Sequence, residues 1–80
     1  MTIKLTAFVS RKNKDLEARV VEALRHEPVA RAGGRATPRE LTFQLRSNKD
    51  AINARMRLYN AMKKIGEDVT VKIESIVYSR

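Results

Sequence analysis

From Thr2 to Val9, the residues Ile3, Leu5, Ala7 and Val9 alternate with Thr2, Lys4, Thr6 and Phe8, the period of two expected of a strand with one buried face. The polar run Ser10 to Lys14 interrupts the alternation. Leu16, Val20, Ala23 and Leu24 then recur at helical spacing until Pro28, which predicts a helix of about four turns. Asp15 with Arg19 and Glu22 with His26 fall at i,i+4 on its wet side, where a charged pair adds about 0.2–0.5 kcal/mol. Ser47-Asn48-Lys49-Asp50 is a capping signal, and from there to Ile65 the chain reads as a long helix closed by Gly66. From Asp68 to Tyr78 alternation returns, with Val69, Val71 and Ile73 on one side and Thr70, Lys72 and Glu74 on the other. Ile76 and Tyr78 continue on the wrong face after Ser75, which predicts a bulge or an edge position.

The segment from Pro28 to Arg39 supports two readings. In the first, Val29–Ala32 and Leu41–Arg46 are strands of a hairpin around Gly33-Gly34, because Leu41, Phe43 and Leu45 alternate with Thr42, Gln44 and Arg46. In the second, Thr37-Pro38-Arg39-Glu40 is a capping box with Pro at N1, opening a short helix that carries Leu41 and Leu45 on one face. The first gives strand, helix, strand, strand, helix, strand, so the expected fold is a small ferredoxin-like βαββαβ sandwich of the α+β class, in one domain over residues 1–80. In the second, the stretch from Thr37 to Ile65 resembles the helix-turn-helix family, flanked by a small terminal sheet or wing. Thr42 sits where such motifs prefer a small residue, and Ile52 and Met56 would support the second helix. Arg46 departs from the pattern at the turn position usually given to Gly. That resemblance would place Asn53 and Arg57 at base edges.

Composition narrows the functional classes. Seventeen Lys and Arg against nine Asp and Glu leave a net charge of +8, a field that favours nucleic acid, an acidic protein surface or anionic lipid as partners. The charge is uneven: +4 over residues 1–14, −2 over 15–27, +2 over 28–40, +5 over 41–65 and −1 over 66–80. Without cysteine there is no disulfide or thiolate site, and a cytoplasmic setting is expected. The start of the chain alternates where a signal peptide needs a continuous apolar run, and no stretch reaches membrane-spanning length.

Catalysis needs converging acid, base, nucleophile or metal groups. The single histidine, His26, stands at an expected helix end, and the carboxylates are scattered without ligand spacing. The expectation is therefore a non-enzymatic module with no metal and no cofactor. Gly33-Gly34, flanked by Arg31, Arg35 and Arg39, suits a basic loop that grips a nucleic-acid backbone, although it lacks the spacing of a P-loop. Arg11, Lys12 and Lys14 form a second basic loop, with Arg46 beside the capping signal. Lys49, Asn53, Arg57, Asn60 and Lys64 line one stripe of the long helix, placed to lie along phosphates. On the sheet face away from the apolar side, Lys4, Thr6, Phe8, Thr70, Lys72, Thr42, Gln44 and Arg46 predict a polar, positive surface. Phe8 alone does not make the stacking platform of an RNA-recognition motif.

The apolar arc of the long helix exceeds half its circumference. Ile52, Met56, Tyr59 and Met62 are candidates for an interface, so a homodimer is expected if the first helix does not cover them. The rival expectation is a small inhibitor or adaptor, of the compact kind common in phages and mobile elements, whose positive surface docks on an acidic protein.

Overall fold

The computed structural model describes residues 2–10 and 12–76, with the backbone alone at Ser75 and Ile76. Strand β1 spans Thr2–Val9, helix α1 Lys14–Leu24, strand β2 Ala30–Ala32, strand β3 Arg39–Leu45, helix α2 Asn48–Lys64 and strand β4 Val69–Ile76. The four strands form one antiparallel sheet in the order β2-β3-β1-β4, with β1 and β3 at its centre.

Register follows from the apolar alternation. Ile3, Leu5 and Ala7 stand opposite Leu45, Phe43 and Leu41, while Leu5, Ala7 and Val9 stand opposite Ile73, Val71 and Val69. One face of the sheet is thereby apolar on three adjacent strands, and both helices cover it. Leu16, Val20 and Leu24 of α1 and Ala51, Ala54, Leu58 and Met62 of α2 complete the buried core. A one-residue slip of β1, β3 or β4 would turn these side chains to solvent, so the core itself fixes the pairing of those strands.

The helix-turn-helix reading is overturned at β3. A helix from Thr37 would align Leu41 with Leu45 but carry Phe43 to the opposite side, since alternate residues on a helix lie about 200° apart. In the strand all three point into the core, and Phe43 is fully buried, which contributes about 1.5–3 kcal/mol. Of the expected capping box, Thr37 and Pro38 instead close the β2–β3 turn, where the Gly34 N–H donates to the Thr37 carbonyl at 3.0 Å, and Arg39 and Glu40 open β3. Gly33 and Gly34 both have positive φ, as a tight turn here requires.

Helix α1 begins at Asn13, whose side chain accepts from the amides of Asp15 and Leu16, and it ends earlier than Pro28 would dictate. Arg25 takes a left-handed conformation, φ 60°, and its N–H donates to the Val21 carbonyl. His26 consequently lies beyond the helix, so the expected pairing of Glu22 with His26 along a helix face is not formed. Helix α2 matches its signals closely. Ser47 accepts from the Asp50 amide. At the other end Gly66 adopts φ 70° while its N–H reaches Lys63 and that of Glu67 reaches Met62, a Schellman closure.

Strand β4 is an edge strand with regular pairing from Val69 through Ile76. The expected bulge near Ser75 is absent over those residues, because the backbone keeps its register there, with Ser75 paired to Ile3 and Ile76 to Thr2. Tyr78 lies outside the described residues.

Candidate functional site

The residues expected to meet nucleic acid divide into three groups in space. At one end of the sheet, the loop after β1 meets the β2–β3 turn: a Cβ added to Gly34 would lie 2.8 Å from that of Lys12. Lys12, Lys14 and Arg31 line a cleft between α1 and the hairpin, and Arg35 stands exposed on the turn. Glu17, Glu22 and Glu27 line the same cleft, which dilutes its positive potential. Arg46 and Lys49 lie together at the opposite end, where β3 passes into α2. Arg11 lies outside the described residues.

Arg39 does not join an exposed arm. Its Nε donates to Glu17 Oε1 at 3.1 Å and its Nη1 to the Gly33 carbonyl at 3.3 Å, with both partners of the ion pair 12% exposed in their side chains. The four-residue spacing of Arg31, Arg35 and Arg39 suggests equivalence, but a turn and a strand replace the helix in which that spacing would align them.

The third group lies on the helix layer. Lys49, Asn53, Asn60 and Lys64 remain exposed along α2. Arg57 leaves that stripe: its Nε donates to the Ala23 carbonyl at 3.1 Å and its Nη2 to that of Leu24 at 3.2 Å. These are carbonyls of the last turn of α1, which otherwise lack helical partners. Arg57 therefore caps a neighbouring helix through its Nε and Nη2.

Beside Arg57, an open groove runs between the helices, with Arg19 and Arg25 on its α1 side, Asn60 and Lys64 on its α2 side, and Glu22 as its single carboxylate. Arg19, Arg25 and Lys64 make no ion pair or side-chain hydrogen bond among the described residues. Arg19 and Arg25 escaped the sequence reading because α1 carries a net negative segment. Their relation to Lys64 arises only when the two helices pack.

The uncovered sheet face differs from the positive surface expected of it. Lys4 stands between Gln44 and Glu74, Phe8 between Glu40 and Thr70, and Thr6 between Thr42 and Lys72. Lys4 and Lys72 are thus balanced by Glu40 and Glu74, and the Lys72 ammonium lies 3.6 Å from Glu74. Such a face has little net attraction for phosphate.

Of the apolar candidates, Ile52, Met56 and Tyr59 are exposed by 46%, 58% and 42%, whereas Met62 is 1% exposed. Met62 belongs to the core because it follows Leu58 and Ala51 around the helix onto the sheet-facing side. Among the described residues no cluster of three or more His, Cys, Asp or Glu could hold a metal ion, and no helix is long and apolar enough to cross a membrane. Comparisons with protein-family models, curated proteins and solved structures find no match to this chain.

Proposed function

We propose that this chain is a non-enzymatic module that binds the phosphate backbone of nucleic acid across its helix layer. The observation that carries this reading is the interhelical groove, where Arg19, Arg25 and Lys64 face one carboxylate. Unpaired guanidinium and ammonium groups suit phosphate oxygens. Lys49, Asn53 and Asn60 extend the surface along α2, and Lys12, Lys14, Arg31 and Arg35 supply further contacts beside α1. With Arg57 engaged by α1, this arrangement favours backbone positioning over base reading. The element order and the central pair β1 and β3, flanked by β2 and β4, support placing the chain among ferredoxin-like sandwiches. A cysteine-free sequence suits a cytoplasmic setting.

Binding of labelled duplex DNA, single-stranded DNA and RNA across a salt series tests the proposal. If Arg19, Arg25 and Lys64 each neutralise one phosphate of a duplex, replacing all three by Ala lowers the magnitude of the log K against log salt slope by roughly 2.7. An unchanged slope in a folded variant rejects the groove. Absence of binding by the native chain, together with a protein retained from nuclease-treated lysate, replaces this reading with that of an inhibitor or adaptor.

A further inference from the structure

We propose that the open edge of β4 pairs with the same edge of a second copy of this chain, with Ile73 opposite Ile73 of the partner subunit. Strand β4 hydrogen-bonds to β1 on one side only among the described residues, so its other edge presents unpaired backbone groups. The helix layer also stops short at this edge. Core-facing residues of β1 and β3 are fully or almost fully buried, but Val69, Val71 and Ile73 are only partly covered.

Above them, α2 turns Arg57 and Ala61 toward α1. Ile52, Met56 and Tyr59 project from its other side, where Tyr59 shares a recess with Val69. The exposed apolar surface of the helix and the half-covered apolar face of the edge strand therefore adjoin. This concentration at one edge distinguishes them from scattered surface apolar residues.

Charge on β4 selects the occupant and the register. In a two-fold antiparallel pairing that keeps both helix layers on the same side, one residue must stand opposite its own copy, and its neighbours pair reciprocally. Centring on Lys72 opposes two lysines, and centring on Glu74 opposes two glutamates. Centring on Val71 places Lys72 opposite Thr70 and turns Glu74 toward Asp68, a second carboxylate. Centring on Ile73 opposes Lys72 to Glu74 twice, and it is the one register of these four that makes opposite charges meet. It also aligns residues 70–76 with the same segment of the second copy, within the span of β4. The Lys72–Glu74 pair within one chain becomes half of an alternating square of four charges. Both α2 helices flank the seam, and the Ile52, Met56 and Tyr59 stripes of the two copies face each other across it. This association is independent of nucleic-acid binding.

Sedimentation equilibrium of the full chain, up to roughly 100 μM, with circular dichroism as the control for folding, tests the pairing. The native chain is expected to associate to twice its 9.1 kDa mass. Lys72→Glu and Glu74→Lys, made singly, place like charges opposite each other twice and weaken the dimer by at least about tenfold. The double variant Lys72→Glu/Glu74→Lys reinstates opposite charges and restores it. Met56→Lys, at an exposed position, weakens the dimer without loss of fold. A native chain that stays monomeric overturns the proposal. So does a dimer indifferent to the single exchanges, or one that the double exchange fails to restore.

Discussion

Arg39 at the start of β3 and Glu17 on the first turns of α1, 22 residues apart in sequence, meet through a hydrogen bond of 3.1 Å between guanidinium and carboxylate. Because both side chains are largely removed from solvent, the pair is screened less than a surface ion pair and its loss leaves a poorly hydrated charge behind. It ties α1 to the start of the second strand of the hairpin. Arg39→Ala is expected to destabilise the fold by about 1.5–3 kcal/mol, the range for hydrogen bonds to charged groups. Thermal unfolding reads this as a Tm lower by roughly 4–8 °C per kcal/mol. A double-mutant cycle with Glu17→Ala should return a coupling of at least about 0.5 kcal/mol; additive losses would show that the two groups act separately.

Arg57 performs the corresponding task between the helices. Its two donated hydrogen bonds satisfy the carbonyls of Ala23 and Leu24 where α1 ends in a left-handed residue. Arg57→Met keeps the packing of the stem but removes both donors, so α1 should fray at its last turn. The expected cost is about 1–2 kcal/mol, with faster amide exchange at Leu24 and Arg25 and little change at the buried residues of β1. Unaltered exchange there would show that solvent satisfies these carbonyls equally well.

These two arginines mark where sequence reading runs out. The strands and α2 were legible because their signals are local: alternation at Ile3 to Val9 and Leu41 to Leu45, a Ser47 cap, a Gly66 stop. The end of α1 was not, since its termination uses a left-handed Arg25 and a side chain from a helix more than 30 residues later. The candidate site suffered more. Arg39 and Arg57 read as available cations because nothing in their neighbourhoods reveals partners on another element. Arg19 and Arg25 stood out of view among the carboxylates of α1. A positive charge in a sequence becomes a binding group only if folding leaves it without an internal partner, and that depends on packing between elements.

The glycines separate two kinds of constraint. Gly33 has φ 73°, and a Cβ there would run into the Pro38 carbonyl oxygen, a backbone atom that cannot easily retreat. Gly66 has φ 70° with nothing within 4 Å of such a Cβ. Gly66→Ala should therefore cost only the left-handed backbone penalty, about 1–2 kcal/mol. Gly33→Ala should cost more than that and distort the turn. Chemical denaturation of the two variants measures the difference, and equal losses would assign both effects to backbone conformation alone.

The basic turn offers the sharpest division between charge that faces outward and charge that holds the fold. Arg31 lines the cleft beside α1 and Arg35 is exposed on the turn, while Arg39 is engaged by Glu17 and Gly33. If the proposed phosphate contacts extend to this corner, Arg31→Ala/Arg35→Ala lowers the magnitude of the salt slope on duplex DNA by roughly 1.8, at about 0.9 per contact. The Tm should hardly move, because neither side chain makes an ion pair or side-chain hydrogen bond among the described residues. Adding Arg39→Ala should then lower the Tm without a further change in slope, measured well below the new unfolding temperature. A further loss of about 0.9 on that third substitution would mean that Arg39 exchanges Glu17 for phosphate on binding, and α1 would then be the element released from the hairpin by nucleic acid.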